Sequence, residues 1–127
     1  MNLPPDLKYT ANHQWAKEEA DGSVSCGITA HGQELLGDMV YVGAPETGRE
    51  VAADEACGVV ESVKAASDLQ APLSGVVVAV NGELADVPEK INQAPYEAWI
   101  FRIKPSAGAT LEKLLDAAAY QQLADNE

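Results

Sequence analysis

Val24, Cys26 and Ile28 alternate with Ser23, Ser25 and Gly27, a period of two that predicts a strand with one face buried. Met39 to Val42, Ala56 to Val63, Gly75 to Val80 and Trp99 to Ile103 are further short apolar runs of strand length. Turn signals separate them at Asp21-Gly22, Gly43, Pro45 to Gly48, Pro72 to Gly75, Asn81-Gly82 and Pro95. Short strands punctuated in this way predict a mainly β sandwich or barrel. Two segments depart from the pattern. Gln33 to Leu36, between Gly32 and Gly37, predicts one or two helical turns stopped by Gly37. Leu111, Leu114, Leu115 and Ala118 follow helical spacing behind Thr110, and Asp116 offers a cap for a second helix carrying Tyr120 and Leu123. The pattern reads as one helix or as two, and this end is expected to cover an open edge or face of the sheet.

With 127 residues and no linker-like stretch or solenoid repeat, the chain reads as a single domain over residues 1–127. Hydrophobic residues at 46% and charged residues at 22% fit a globular domain. Twenty acidic against eight basic residues give a net charge of −12. That excludes sequence-independent nucleic-acid binding, which needs clustered Lys and Arg, and argues against docking on an anionic membrane. Met1 to Thr10 carries no apolar core of a signal peptide and is not Arg-rich, and Val76 to Val80 is too short to span a bilayer. Cys26 and Cys57 lack metal-ligand or CxxC spacing and read as reduced, packed thiols of a cytosolic protein.

Catalytic chemistry has little to work with. The two histidines, His13 and His31, stand outside any HxxxH or HExxH arrangement, and nucleotide-binding and nucleophile-elbow motifs are missing. No close pair of ligand-type residues supports a metal site. Acid pairs such as Glu18-Glu19 and Glu83/Asp86 read as solvated faces. A small enzyme built on His13 or His31 with Asp38 is the weakest reading; a non-catalytic protein is expected.

One segment stands apart. An apolar strand runs into Glu61-Ser62-Val63-Lys64-Ala65-Ala66-Ser67-Asp68, then Pro72 and Gly75, then a second β run, which describes a hairpin over about 56–80 with one lysine at its tip. Lys64 is the sole Lys or Arg between Arg49 and Lys90. A lone amine among small neighbours on a defined turn suits a modifying enzyme. By itself the geometry also fits an ordinary solvated lysine, or a surface ion pair with Glu61 contributing about 0–1 kcal/mol.

Glu61-Ser62-Val63-Lys64, with Gly75 eleven positions beyond the lysine, resembles the attachment hairpin of lipoyl carrier domains. The whole chain resembles the H-protein family of the glycine cleavage system. Tyr9, His13-Gln14-Trp15, Gly27-Ile28-Thr29, His31, the run Glu34 to Val42, Pro45-Glu46, Gly48, Val80-Asn81, Leu84, Pro88, Asn92, Pro95-Tyr96, Trp99, Leu114-Leu115-Asp116 and Tyr120 follow in family order. The resemblance implies a barrel-sandwich hybrid, a flattened two-sheet barrel with a short internal helix and C-terminal helices. It implies lipoate in amide linkage on Lys64, with Glu61 and Gly75 recognised as part of the hairpin.

A carrier of this kind shuttles the aminomethyl group of glycine from glycine decarboxylase (the P-protein) to aminomethyltransferase (the T-protein), and dihydrolipoyl dehydrogenase (the L-protein) reoxidises its dithiol. A lipoyl or octanoyl transferase, or a lipoate ligase, installs the cofactor. The resemblance further implies a cleft that shelters the loaded arm, with acceptors at Asn12, Gln14 and Asp68. A monomer in the bacterial cytoplasm is expected, or in the mitochondrial matrix for an organelle form with its presequence removed. A biotinyl carrier is disfavoured because Val63 and Ala65, not methionines, flank the lysine. A lipoyl domain of a 2-oxoacid dehydrogenase is disfavoured because no linker or catalytic domain follows.

Two positions depart from the family pattern. Gln14 replaces the usual Glu, and a neutral amide forms a bond about half as strong as a charge-assisted one, so weaker sheltering of the loaded arm is expected. Ala98 replaces the usual Gly, in a Tyr96–Trp99 segment one residue short. These departures leave room for an H-like paralogue that donates lipoyl groups to other enzymes.

Overall fold

Two antiparallel sheets pack face to face in this computed structural model, which describes residues 3–127, so that Met1 and Asn2 of the N-terminal segment lie outside the described residues. The strands are β1 (Lys8–Tyr9), β2 (Gln14–Glu18), β3 (Val24–Ile28), β4 (Met39–Gly43), β5 (Glu50–Val51), β6 (Ala56–Ser62), β7 (Ala66–Gln70), β8 (Gly75–Val80) and β9 (Phe101–Pro105). Six of them form one sheet in the order β1-β2-β3-β9-β8-β5, and three form the other in the order β4-β6-β7. The mainly β, two-sheet expectation holds. Val24, Cys26, Ile28, Val77, Phe101 and Ile103 of the large sheet share one core with Met39, Val60 and Leu69 of the small one.

The strand at Val24–Ile28 is buried on both faces instead of one. Its second face is covered by Trp15, which pairs with Gly27 across the β2–β3 ladder. A Cβ on Gly27 would stand 2.6 Å from the Trp15 indole, so only glycine admits that ring. Trp15 belongs to a second cluster with Leu7, Tyr9 and Tyr120 on the outside of the large sheet. Alternation in the sequence identifies the strand but does not show what is laid over its outer face.

The internal helix α1 (Ala30–Leu36) starts three residues before the expected Gln33. Thr29 caps it, accepting the Gly32 N–H on Oγ1 at 3.0 Å. Gly37 ends it with φ 87°, its N–H donating to the Gln33 carbonyl, as the sequence predicts. Two one-turn helices, α2 (Glu83–Asp86) and α3 (Lys90–Gln93), bury Leu84 and Ile91. At the C-terminus one helix forms where two, or one continuous helix from Leu111, were expected: the segment behind Thr110 is not helical, and only the helix capped by Asp116 is present. Residues 111–114 form turns, and α4 (Ala117–Asp125) begins at Asp116, whose Oδ1 accepts the Ala119 N–H at 2.8 Å. Leu115 exchanges both backbone hydrogen bonds with Tyr9 at 2.8 Å, closing the β1 edge of the large sheet. That is the expected covering of an open edge.

Candidate functional site

Lys64 sits at the tip of the β6–β7 hairpin, whose arms pair from Ala56↔Gln70 to Glu61↔Ala66. The second arm is therefore Ala66–Gln70, and the reading of Gly75–Val80 as that arm is corrected. The run β8 belongs to the other sheet, where it pairs with β9 and β5. Gly75 is accordingly remote from the turn in topology. Its glycine is required because a Cβ there would stand 2.2 Å from the Lys104 carbonyl oxygen, a close approach of strand backbones rather than a feature of the hairpin.

The tip is tied down at every backbone step. Ser62 N–H donates to the Ala65 carbonyl at 2.8 Å, and the N–H groups of Lys64 and Ala65 both donate to Ser62 Oγ at 3.1 Å. Val63 N–H donates to the Asp38 carbonyl at 3.0 Å, fastening the tip to the turn between α1 and β4. Asn92 of α3 in turn holds that junction: its Oδ1 accepts the Met39 N–H, and its Nδ2 donates to Gly37 O and Gln33 Oε1, all at 2.9 Å. The lysine is exposed, and among the described residues no ion pair engages it, with Glu61 or otherwise. Its aliphatic stem lies across Gly37, where a Cβ would stand 3.3 Å from Lys64 Cε.

Gly37 follows the last residue of α1, Leu36, which with Leu35, Ile28, Val60 and Leu69 makes the apolar wall of a cleft of about 140 Å³. Asn12, His13, Gln14, Ser67 and Asp68 supply its polar lining. All three residues expected at a sheltering cleft thus come together. They are not equivalent. Gln14 is almost fully buried at 2% exposure, and its amide is saturated. Oε1 accepts the Gln70 N–H and Asn12 Nδ2, both at 2.8 Å, while Nε2 donates to the Gln70 carbonyl at 2.8 Å and to Cys26 Sγ at 3.1 Å. Its side chain splices β2 to the end of β7, so the expectation of a free acceptor at Gln14 is corrected. Asn12 Oδ1 is taken by Thr10 Oγ1. Asp68 is exposed and, among the described residues, makes no side-chain hydrogen bond.

The Tyr96–Trp99 segment forms a tight turn over the outer cluster. Ala98 is completely buried, the Tyr96 hydroxyl accepts the Ala30 N–H at 3.2 Å, and the Arg102 guanidinium lies 4.2 Å from the Trp99 ring centroid. Cys26 and Cys57 are buried and unpaired, and burial pushes the Cys26 thiol up to about 12. The Asp38 carbonyl serves the hairpin tip, and the imidazoles of His13 and His31 meet Glu127 instead, at 2.9 and 2.8 Å. That grouping was invisible in the sequence, because residues 13, 31 and 127 have no motif spacing. The hydrogen bond from His31, with the nearby His13, holds the Glu127 carboxyl below the usual carboxylate range.

A lone exposed lysine on a braced hairpin of a two-sheet sandwich, beside an apolar cleft, fits a carrier protein whose cofactor is attached at that amine. Comparison with known proteins is specific. The glycine cleavage H-protein family profile matches residues 7–127, and the chain belongs to that family. It is 56% identical over 127 residues to the glycine cleavage system H protein of Thiobacillus denitrificans, covering 100% of this chain and 98% of that one. It is 58% identical over 126 residues to the protein of the same description from Halorhodospira halophila, covering 98% and 97%. The crystal structure of a glycine cleavage system H protein from Mycobacterium marinum superposes with a TM-score of 0.85 at 42% identity, covering 94% of this chain and 97% of that one. The chain is the lipoyl carrier of the glycine cleavage system, with its partners in that system, and is not itself catalytic. The lipoyl-donor paralogue is not favoured. No helix among the described residues is long and apolar enough to cross a membrane.

Proposed function

We propose that Lys64 Nζ carries lipoate in amide linkage and that the cleft beneath α1 receives the arm between visits to partner enzymes. The observation that carries this reading is the lysine stem lying across Gly37, one residue beyond the cleft wall at Leu36. An arm rooted there reaches an apolar surface without unfolding any part of the hairpin. Amide formation removes the one positive charge between Arg49 and Lys90, so the arm enters the apolar cleft without a cation to desolvate.

Lipoate supplies a dithiolane that opens to accept the one-carbon amine fragment of glycine and closes again on reoxidation. The protein fixes the root of the arm, excludes water along Leu35, Leu36, Ile28 and Val60, and offers the Asp68 carboxylate to an ammonium group. Glu61, exposed on β6 three residues before the lysine, is a recognition point for the transferase or ligase that loads the hairpin. The specific partners are the P-, T- and L-proteins, met in turn by a monomer in the cytoplasm. Tethering makes each encounter intramolecular for the cofactor, and no tight complex is needed.

Intact mass of the protein purified from cells with ample octanoyl supply and working ligation machinery tests this reading. A lipoyl increment present in the native chain and lost in Lys64→Ala is expected, along with glycine-dependent carbon dioxide release on reconstitution with the three partners. An unmodified Lys64 under those conditions would overturn it. Because Lys64 is exposed, the variant is expected to match the native stability within about 0.5 kcal/mol.

A further inference from the structure

His13, His31 and Glu127 converge from β2's leading turn, α1 and the residues after α4, with one ligand atom of each within 4.8 Å of the others. The two imidazoles approach different oxygens of one carboxylate: His13 Nε2 lies 2.9 Å from Oε2, and His31 Nε2 lies 2.8 Å from Oε1. The histidine side chains are 14% and 17% exposed and the carboxylate 38%, so the cluster is sheltered but open to solvent on one side.

The geometry points to a binding site for a divalent transition-metal ion, Zn²⁺ in particular, held by His13 Nε2, His31 Nε2 and a Glu127 carboxylate oxygen with a fourth position open. Tetrahedral zinc with bonds of about 2.0–2.2 Å places its ligand atoms about 3.3 Å apart. The two nitrogen–oxygen contacts need to open by about half an ångström, and the widest of the three ligand separations, up to 4.8 Å, needs to close by about 1.5 Å, movements that rotations of the exposed Glu127 side chain and of the His31 ring supply.

The surroundings do for His13 what a metal ligand requires. Its other nitrogen, Nδ1, lies 2.7 Å from the Tyr120 hydroxyl, and that hydroxyl lies 2.8 Å from Thr29 Oγ1. With zinc on Nε2, the remaining Nδ1–H donates to Tyr120, and Tyr120 donates to Thr29. This outer relay fixes ring orientation and tautomer. Tyr120 is fully buried and stacked on Tyr9 at 4.9 Å between centroids, so the relay is rigid. His13 itself adopts φ 69°, left-handed and uncommon for a non-glycine residue. Gly32, whose Cβ would stand 2.9 Å from His13 Cβ, lets α1 come close enough to bring His31 beside it, with ring centroids 4.9 Å apart. The buried thiols of Cys26 and Cys57 are not competitors for the ion, and although His13 also lines the arm cleft, the proposed ligation does not require Lys64 to be lipoylated.

Calorimetric titration of tag-free protein with Zn²⁺, in millimolar Mg²⁺ to occupy scattered surface carboxylates, is the test. Tight binding of one ion per chain is expected, with a Co²⁺ adduct showing the intense visible bands of four- or five-coordination. His31→Gln and Glu127→Gln should each weaken binding at least about a hundredfold while leaving the far-ultraviolet circular dichroism unchanged. Tyr120→Phe, which keeps the ring but breaks the relay, should weaken it about tenfold and shift the Co²⁺ bands. Absence of binding above the Mg²⁺ background, octahedral Co²⁺ spectra, or affinity unchanged in His31→Gln and Glu127→Gln would each overturn the site and leave the cluster as a hydrogen-bonded latch on α4.

Discussion

The side chain of Lys64 is packed along the bare backbone of Gly37, with Cε, Cδ and Cγ at 3.3, 3.6 and 3.7 Å from where a Cβ would stand. The same residue ends α1 with φ 87° and ψ −162°, a region held almost only by glycine. Helix stop and lysine seat are one residue. Gly37→Ala is expected to lose about 1–3 kcal/mol in urea unfolding from backbone strain. It should also slow lipoylation of Lys64 several-fold, because the added methyl lifts the stem. A stability loss with an unchanged loading rate would show that the seat plays no part in presenting the amine.

Gln14 makes a second testable case, because its amide replaces a stretch of strand pairing. Gln14→Leu leaves the Gln70 N–H and carbonyl without their partners and should cost about 2–6 kcal/mol in urea unfolding, at about 1–3 kcal/mol per unsatisfied group. Gln14→Glu retains the acceptor but loses the donor to Gln70 and Cys26, costing about 1–3 kcal/mol. Since both Gln14 Oε1 bonds are already made, Gln14→Glu is expected to leave the hydrolytic loss of the loaded group within twofold of native. Marked slowing of that loss would restore the acceptor role suggested by the family pattern.

These residues show what a sequence displays and what it conceals. Gly37 was legible because a positive φ and a helix stop share one residue type. Lys64 stood out as the one cation between Arg49 and Lys90, but isolation alone fits a solvated lysine, and its expected role came from the resemblance to lipoyl hairpins. The strand at Ala66–Gln70 was not, since Ala66, Ser67 and Asp68 carry no alternating pattern and gain their conformation from pairing with β6. Burial of both faces of β3 depends on Trp15 and the C-terminal segment, and two of Gln14's four side-chain hydrogen bonds on Gln70, fifty-six residues away. The grouping of His13 and His31 with Glu127 spans nearly the whole chain. Long-range partners of this kind leave no local spacing to read.

The aromatic cluster on the outer face carries a pH prediction. Burial, first, pushes the Tyr9 hydroxyl far above its ordinary value, Tyr120 up to about 12, and Tyr96 upward. A phenol whose folded pKa is raised contributes stability that is complete below its unfolded value of about 10 and is lost as pH climbs toward the folded value. Stability should therefore fall between about pH 10 and 12. Tyrosinate absorbance at 295 nm from these three rings should appear together with unfolding and not before it. Tyr120→Phe should remove part of the alkaline slope. Early, reversible ionisation of the cluster in a fully folded protein would contradict this packing.

Asp68 provides the sharpest separation between loading and sheltering. It lines the cleft beside Ser67 and Leu69, on β7, the second arm of the hairpin, and is exposed. Replacing its carboxylate with an amide leaves shape and hairpin pairing intact but removes the charge-assisted partner for an ammonium, roughly halving that hydrogen bond. Asp68→Asn is expected to be lipoylated at the native rate and to keep native stability within about 0.5 kcal/mol, while losing its loaded amine-bearing group to hydrolysis several-fold faster. The two rates are read separately, one by intact mass during loading and the other by ammonia release from the loaded carrier. If both are native, the arm does not rest against Asp68, and the apolar wall of Leu35 and Leu36 alone shelters it.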